Sequence, residues 1–249
     1  MKPWPYPRLT AHRGGGKLAP ENTLAAIRRG HALGFRAVEF DVRFSKDGVE
    51  VLQHDAALDR TTSGSGPLAE RTWAELAALD AGSWHSEPFR GEPLARLADA
   101  ASLVRSLGMF ANVEIKRIPG LHRQCGERVA HAVAEYWKGA PEVPLLSSFS
   151  ADALDAARSA EPSLPRGWIV EEPWDGDLAP LAKVGAVSLH VEHVLVTPAL
   201  LARVHDAGCR LQAWTVNDVG RAGDLLDMGV DGLITDNLAE FAARFPELL

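Results

Sequence analysis

The side chains best suited to chemistry lie in one stretch, VEFDVRFSKDGVEVLQHD, at residues 38–55. Within it Glu39 and Asp41 alternate with apolar residues at the two-residue period of a β-strand, so both carboxylates point to the same face. Two neighbouring carboxylates repel each other and resist burial unless a cation or a proton accompanies them. The pair therefore indicates a cation site or, where nothing else converges on it, a solvated strand face.

An imidazole is expected close to this pair. A tight turn at Asp47-Gly48 returns the chain through an antiparallel strand to His54, because glycine adopts the positive φ that such a turn needs. The hairpin predicts that His54 lies near the level of Glu39 and Asp41. Histidine titrates near neutrality, which suits it to acid–base catalysis beside a carboxylate cluster.

The elements that position these residues alternate between strand and helix along the chain. Without the return strand at 49–54, eight strands are predicted at 8–12, 38–42, 110–115, 144–149, 167–170, 186–190, 210–216 and 232–235. Helices are predicted at 22–33, 94–107, 123–137, 151–160, 178–184, 198–207, 218–228 and 238–245. Eight such units favour an α/β fold of the (β/α)8 TIM barrel type over a doubly wound sheet.

Polar and aromatic residues concentrate at the carboxyl ends of the predicted strands, where the reacting groups of such barrels lie. They are His12, Arg13, Glu39, Asp41, Glu114, Lys116, Ser147, Ser148, Phe149, Glu171, Glu172, His190, Trp214, Asn217 and Asp236. Packing alone does not require this concentration, so we expect one site at this end of the barrel.

Three of these residues are candidate metal ligands. Glu39, Asp41 and Glu114 come from adjacent strands, and three carboxylates on one rim suit a hard divalent cation, Mg²⁺ or Ca²⁺. The alternative is local pairing, for example of Glu114 with Lys116 on the same strand face. We favour the metal.

Histidines and cations complete the candidate site. His12 and His54 are the candidate acid and base, because both converge on the carboxylates, whereas a structural role is expected for five others: His31, His85, His122, His131 and His205. Arg13 and Lys116 are the nearest cations, and with the glycines at 14–16 they could hold a phosphate. A run of glycines alone is more often a flexible loop. Trp214 could form a pocket wall.

Composition limits the class of protein. A chain of 249 residues, 46% of them hydrophobic, can bury one large core. We therefore expect a single domain over 1–249, in which residues 45–92 form a small inserted cap after strand 2. The net charge of −7 with scattered Lys and Arg argues against nucleic-acid binding.

The cell compartment is expected to be the cytoplasm. No apolar run approaches the ~18 residues of a membrane span, and the start of the chain lacks the apolar core of a secretory signal. Cys125 and Cys209 have neither ligand spacing nor a disulfide pattern, which is typical of a reducing compartment. The oligomeric state is not predicted by the sequence.

The motifs together resemble a known family. AHRGGGKLAPENT, VEFDV, LQHD, NVEIK, SSF, WTVN and VDGLITD follow one another over nearly the whole chain, and in this order they are similar to the glycerophosphodiester phosphodiesterase family. WPYPR, DAGSW and GEPL resemble its cytoplasmic bacterial branch linked to glycerol 3-phosphate uptake. The resemblance implies a barrel with an inserted cap. It also maps the metal ligands to Glu39, Asp41 and Glu114, the acid–base pair to His12 and His54, and substrate contacts to Arg13 and Lys116.

The activity implied is metal-dependent hydrolysis of small glycerophosphodiesters, such as glycerophosphocholine and glycerophosphoethanolamine, to sn-glycerol 3-phosphate and an alcohol. Either water or the substrate's neighbouring hydroxyl could attack phosphorus. The alternative is a lysophospholipase D acting on lipids, which needs an apolar rim, whereas the cap segment is polar apart from Trp73, Trp84 and Phe89. A non-catalytic binding protein is a third interpretation, but no histidine or ligand is missing.

Overall fold

Eight parallel strands close into a barrel surrounded by helices in the computed structural model, which describes residues 4–249. The eight barrel strands are β1 (Leu9–Ala11), β2 (Ala37–Phe44), β4 (Phe110–Ile115), β5 (Leu145–Ser148), β6 (Arg166–Val170), β7 (Ser188–Glu192), β8 (Arg210–Trp214) and β9 (Gly232–Thr235). A ninth strand, β3 (Glu50–Leu52), is antiparallel to β2 and lies outside the barrel. The helices are α1 (Leu24–Ala32), α2 (Trp73–Leu76), α3 (Leu97–Ser106), α4 (His122–Tyr136), α5 (Ala151–Ala160), α6 (Ala179–Val184), α7 (Pro198–Asp206), α8 (Val219–Met228) and α9 (Leu238–Arg244). The predicted (β/α)8 TIM barrel is confirmed.

Strand β1 closes the barrel, because it pairs in parallel with both β9 and β2. The longest of the parallel ladders joins β2 to β4, from Ala37 opposite Phe110 to Val42 opposite Ile115. Asp41 lies opposite Glu114 in this register. The ladder therefore places carboxylates of two strands side by side.

The segment between β2 and α3, residues 45–96, leaves the barrel and returns to it. Its strand β3 runs antiparallel to the end of β2, with Val42 opposite Leu52. The segment has an apolar cluster of its own, formed by Val51, Leu58, Leu68, Leu76, Ala81 and Leu94. We call residues 45–96 the β2–α3 segment.

Two further apolar clusters fill the space between the barrel and its helices. The first joins β2 and β4 to α3, α4 and α5 and contains Cys125. The second joins β1, β7, β8 and β9 to α7, α8 and α9 and contains Cys209. Each cluster thus holds one of the two cysteines, and both cysteines are free and buried.

The observed boundaries differ from the predicted ones by one to three residues in most elements. The strand predicted at 186–190 is shifted to Ser188–Glu192, and the strand predicted at 210–216 ends at Trp214. Helix α3 begins at Leu97 rather than at residue 94 because the Ala95 carbonyl accepts a hydrogen bond from Leu52 of β3. None of the described helices has the length and apolar character of a membrane span.

Candidate active site

A cavity of about 620 Å³ opens at the carboxyl ends of the barrel strands. Its wall includes all eight residues that the sequence singled out for metal binding, catalysis or substrate contact: His12, Arg13, Glu39, Asp41, His54, Glu114, Lys116 and Trp214. Seven come from the barrel strands and the turns that follow them, and His54 comes from the β2–α3 segment. The fold therefore brings the predicted residues together, and their roles stay predictions.

Three buried carboxylates form the base of this site. One oxygen each of Glu39, Asp41 and Glu114 lies within 4.8 Å of the others. Burial and the charge of Asp41 raise the pKa of Glu39 to about 8, and Glu39 Oε1 has no hydrogen-bond partner among residues 4–249. Buried acidic oxygens that lack a partner fit a hard divalent cation, so this donor set suits Mg²⁺ or Ca²⁺.

Asp41 is the most strongly held of the three. Its Oδ2 accepts a hydrogen bond from Asn22 Nδ2 at 2.8 Å, and its backbone N–H donates to Asn22 Oδ1 at 3.1 Å. Lys116 Nζ lies 3.1 Å from Asp41 Oδ1 and 2.7 Å from Glu114 Oε1. Burial alone would raise the pKa of Asp41, but the charges of Lys116 and Arg13 hold it below its usual value. The local pairing considered as an alternative is thus present beside the carboxylate cluster.

His12 follows β1, and a contact at Nδ1 fixes the orientation of its ring. Its Nδ1 lies 2.6 Å from Asp236 Oδ1, and Asn217 Nδ2 donates to the other Asp236 oxygen at 3.0 Å. Its Nε2 is 3.8 Å from Glu39 Oε2. Burial lowers the pKa of His12, but the Asp236 hydrogen bond and the Glu39 charge outweigh it, so the pKa is raised. Asp236 leaves Nε2 as the ring nitrogen available to a substrate.

His54, on the β2–α3 segment, has a similar arrangement. Its Nδ1 lies 2.7 Å from Asp55 Oδ1, and its backbone carbonyl accepts a hydrogen bond from Arg43 Nε at 2.8 Å. Burial lowers the pKa of His54, with the Lys116 charge acting in the same direction and the Asp41 charge against it, and the net shift is downward. The side chain is 35% exposed, against 16% for His12. His54 is therefore the more accessible of the two imidazoles.

Arg13 belongs to a network of charges at the cavity rim. Its Nη1 donates to Glu21 Oε1 at 2.8 Å, and its Nε lies 3.6 Å from Asp41 Oδ2. Arg60 donates to both oxygens of Glu21 and to both oxygens of Asp55, at 2.7–3.1 Å. A single guanidinium thus links the loop after β1 to the partner of His54.

The glycines at 14–16 have a packing role that the phosphate interpretation did not include. The Gly16 N–H donates to the His12 carbonyl at 3.0 Å, so it is not free for a phosphate. Gly16 has φ +52°, and a Cβ there would lie 2.2 Å from the Asp236 carbonyl oxygen. Glycine at this position therefore lets the loop after β1 pack against Asp236.

Sequence reasoning gave no role to several residues that hold the site. The sequence places Asn22 at the start of a predicted helix, whereas Thr23 caps α1 and Asn22 binds Asp41. The sequence does not single out Glu21 or Arg60, and it indicates Asp236 only as a residue at a strand end. The PENT motif around Glu21 was the available signal, because a short polar motif beside a strand end is unusual for packing alone.

Comparison with known proteins gives one consistent result. Residues 12–240 match the model of the glycerophosphoryl diester phosphodiesterase family. A glycerophosphodiester phosphodiesterase of Caldanaerobacter subterraneus subsp. tengcongensis is 35% identical over 233 residues, which are 92% of this chain and 93% of that protein.

Solved structures of phosphodiesterases also match the chain. A phosphodiesterase of Oleispira antarctica in complex with its product sn-glycerol-3-phosphate matches with TM-score 0.89 and 32% identity over 97% of both chains. A glycerophosphodiester phosphodiesterase of Agrobacterium tumefaciens matches with TM-score 0.81 and 27% identity over 95% of this chain and 99% of that one.

Proposed function

Because the chain belongs to the glycerophosphoryl diester phosphodiesterase family and is a glycerophosphodiester phosphodiesterase, we propose that it hydrolyses small glycerophosphodiesters to sn-glycerol 3-phosphate and an alcohol with a divalent metal ion. Glycerophosphocholine and glycerophosphoethanolamine are the proposed substrates. The observation that carries the proposal is one cavity that joins three carboxylates, two carboxylate-bound imidazoles and two cations. The product named for the Oleispira relative supports the same product here.

Glu39, Asp41 and Glu114 are the proposed ligands of Mg²⁺ or Ca²⁺. Their oxygens lie close together. Glu39 Oε1 is buried without a hydrogen-bond partner in the described chain, which supports a bound cation beside it. A divalent cation bound here supplies Lewis-acid stabilisation of negative charge on substrate oxygens. Asn22 and the Arg13 backbone N–H orient two of the ligands by hydrogen bonds to Asp41 Oδ2 and Glu39 Oε2.

Arg13 and Lys116 are the proposed phosphate-binding cations. Both line the cavity beside the carboxylates, and fixed positive charge lowers the energy of a phosphoryl group as its charge redistributes. Arg13 Nε is buried and has no hydrogen-bond partner within the described chain, although it lies 3.6 Å from Asp41 Oδ2. This unmet donor supports a contact with a phosphate oxygen.

The two histidines are the proposed acid and base. Asp236 and Asp55 hold the two Nδ1 atoms, which leaves each Nε2 to accept or donate a proton at the reacting oxygens. One imidazole takes the proton of the attacking hydroxyl, and the other protonates the departing alkoxide. Attack by water and attack by the substrate's neighbouring hydroxyl place the same demand on this pair.

The test is chelation followed by metal add-back, with release of sn-glycerol 3-phosphate measured. We expect chelated protein to be inactive and Mg²⁺ or Ca²⁺ to restore activity. Glu114→Gln should bind the metal at least tenfold more weakly in calorimetry, a difference of about 1.4 kcal/mol. Glu171→Gln is the matched control, because Glu171 lines the same cavity but pairs with Arg117 at 3.0 Å. Full activity after exhaustive chelation would contradict the metal proposal.

Substrate choice is tested separately. Several glycerophosphodiesters should turn over within about tenfold of one another, since the barrel holds the glycerol end and the alcohol lies toward the open mouth. Lysophosphatidylcholine is assayed beside them. A strict preference for this acyl-bearing substrate would contradict the proposal and favour a lysophospholipase D.

A further inference from the structure

His190 lies in the cavity wall without a part in the acid–base chemistry. It sits on β7, is only 1% exposed and lines the same cavity as His12 and His54. Its Nε2 lies 2.9 Å from Ser188 Oγ, whereas its Nδ1 is buried and has no partner within residues 4–249. Buried polar atoms are rarely left without a partner, so this nitrogen indicates a ligand contact.

The ring of His190 is fixed in place by its neighbours. Gly167 on β6 faces it, and a Cβ at Gly167 would lie 2.4 Å from His190 Nε2 and 2.7 Å from Ser188 Oγ. A side chain at Gly167 would therefore collide with the imidazole. Ser188 and the bare backbone of β6 both lie at the Nε2 edge of the ring, and together they hold this edge in place.

The imidazole of His190 is neutral. Burial lowers its pKa to about 3, so it carries no charge at neutral pH. A neutral ring does not attract a phosphate as Arg13 does. It can still make one hydrogen bond at Nδ1 in either tautomer, as donor or as acceptor.

A second uncharged polar group lies on the next strand. Trp214 of β8 lines the same cavity, and its indole Nε1 is buried without a partner in the described chain. In the strand order, β5 and β6 separate β7 from β4, and β9 and β1 separate β8 from β2. The two uncharged nitrogens thus lie on the wall across the cavity from the three carboxylates.

We propose that His190, together with Trp214, forms a hydroxyl-binding subsite that selects the glycerol moiety of the substrate. A hydroxyl both donates and accepts, so one glycerol hydroxyl can satisfy His190 Nδ1 in either tautomer. The other can accept from the indole N–H of Trp214, which lies opposite Glu192, two residues along β7 from His190. The subsite receives the glycerol end because His190 is among the most deeply buried residues of the cavity, whereas the alcohol end lies toward the mouth. This inference rests on the proposed function and adds a specificity determinant to it.

The first experiment compares substrates. The kcat/KM of wild type and of His190→Phe is measured on glycerophosphocholine and on two analogues, in which either free glycerol hydroxyl is replaced by hydrogen. We expect the variant to lose about tenfold or more on glycerophosphocholine and to stay within about threefold of wild type on one deoxy analogue. Equal losses on all three substrates, or no loss at all, would overturn the subsite.

The second experiment measures binding without turnover. Calorimetry of the metal-loaded protein uses sn-glycerol 3-phosphate and inorganic phosphate as ligands. His190→Phe should weaken the first by about tenfold and leave the second unchanged. His190→Asn should restore much of the affinity, because its amide can replace the Nδ1 hydrogen bond, and it also covers the case in which the Phe variant fails to fold. Equal weakening of both ligands in both variants would mean a structural role.

Two controls separate the possible sources of failure. Glycerophosphoglycerol carries hydroxyls at both ends, so a His190→Phe loss confined to this substrate would move the contact to the alcohol end and overturn the glycerol assignment. If wild type releases sn-glycerol 3-phosphate from no substrate, the proposed function fails. The binding comparison still decides the subsite in that case.

Discussion

Each active-site imidazole has an aspartate on its Nδ1, and the two aspartates reach it differently. Asp55 is the next residue after His54, whereas Asp236 is 224 positions from His12 in the chain. A carboxylate in this position fixes the ring orientation and keeps the proton on Nδ1. The aspartates are therefore expected to position the histidines without contacting the substrate.

The roles of the two histidines can be separated by the leaving group. His54 is the more exposed and lies on the β2–α3 segment near the mouth, so we expect it to protonate the departing alcohol. A nitrophenyl ester needs no such proton, so it should largely rescue His54→Ala and leave His12→Ala impaired by roughly a hundredfold or more. Steady-state kinetics of both variants on the nitrophenyl ester and on glycerophosphocholine check this prediction.

Rescue of His12→Ala instead would reverse the roles. The pKa directions favour this reversal, because the pKa of His12 is raised and that of His54 is lowered. Position is the better guide, because part of the rise in the pKa of His12 comes, after the Asp236 hydrogen bond, from the Glu39 charge, which a bound cation would neutralise. Rescue of neither variant would mean that both histidines act before the alcohol departs.

The limit of sequence reasoning at the residue scale follows from these contacts. Reactive types at strand ends, such as Glu39 and His12, could be identified because chemistry requires those types there. The residues that support them by hydrogen bonds could not be identified in this way. Arg60 and Glu21 are 39 positions apart, and only the folded path of the β2–α3 segment brings them together.

The β2–α3 segment and the loop after β1 act as one element because Arg60 joins them. Its guanidinium makes two hydrogen bonds to Glu21, which also binds Arg13, and two to Asp55, which binds His54. Bidentate hydrogen bonds between a guanidinium and a carboxylate require a specific relative geometry of the two groups. The link thereby couples the position of a phosphate-binding cation to that of an acid–base group.

Arg60→Met should lower kcat by about tenfold to a hundredfold with little change in thermal stability. The Arg60 side chain is 44% exposed, and exposed ion pairs contribute about 0–1 kcal/mol to folding. Arg90→Met is the matched control, because Arg90 of the same segment pairs only locally with Glu87 in an exposed ion pair. Kinetics and thermal melts of both variants check the prediction, and equal activity of the two would contradict it.

Element boundaries were predicted less well than element types. The alternation of Ser188 and His190 with buried apolar residues identifies a strand at β7. It does not mark where pairing with β8 stops, which is at Glu192 opposite Trp214. His190 was consequently placed at a strand end, whereas it lies inside the strand and deeper in the barrel.

At the scale of the whole molecule, eight alternating units predicted the barrel correctly. Local pattern alone does not reveal closure, which depends on β1 pairing with both β9 and β2. Closure also explains the depth of the site, because it buries polar groups from β2, β4 and β7 in one interior. A doubly wound sheet would have left two open edges.

Burial of His190 should make the free energy of unfolding depend on pH. Its folded pKa of about 3 lies below the ordinary value of 6.5, so between these values the unfolded chain binds a proton that the folded chain does not. Stability is therefore fully present above about pH 6.5 and falls as the pH drops, by about 1.4 kcal/mol per pH unit. The His190→Asn variant lacks this contribution.

Urea unfolding of both proteins in chelator, at about pH 7 and about pH 5, measures the difference. Wild type should lose about 2 kcal/mol more than His190→Asn over this interval. All other titrating groups are shared by the two proteins, so they cancel in the comparison. Parallel pH curves for the two would contradict a buried neutral imidazole.

The alkylation rates of the two buried thiols report how each half of the barrel opens. Burial raises the pKa of both Cys125 and Cys209, so neither offers a reactive thiolate until its surroundings open. Cys125 lies within α4 in the first apolar cluster, whereas Cys209 lies in the turn before β8 in the second. Alkylation under native conditions, followed by mass spectrometry of each site, should label Cys209 faster, with Cys125 reacting only at the rate of global unfolding. Equal rates at both sites would mean that the two halves of the barrel open as one cooperative unit.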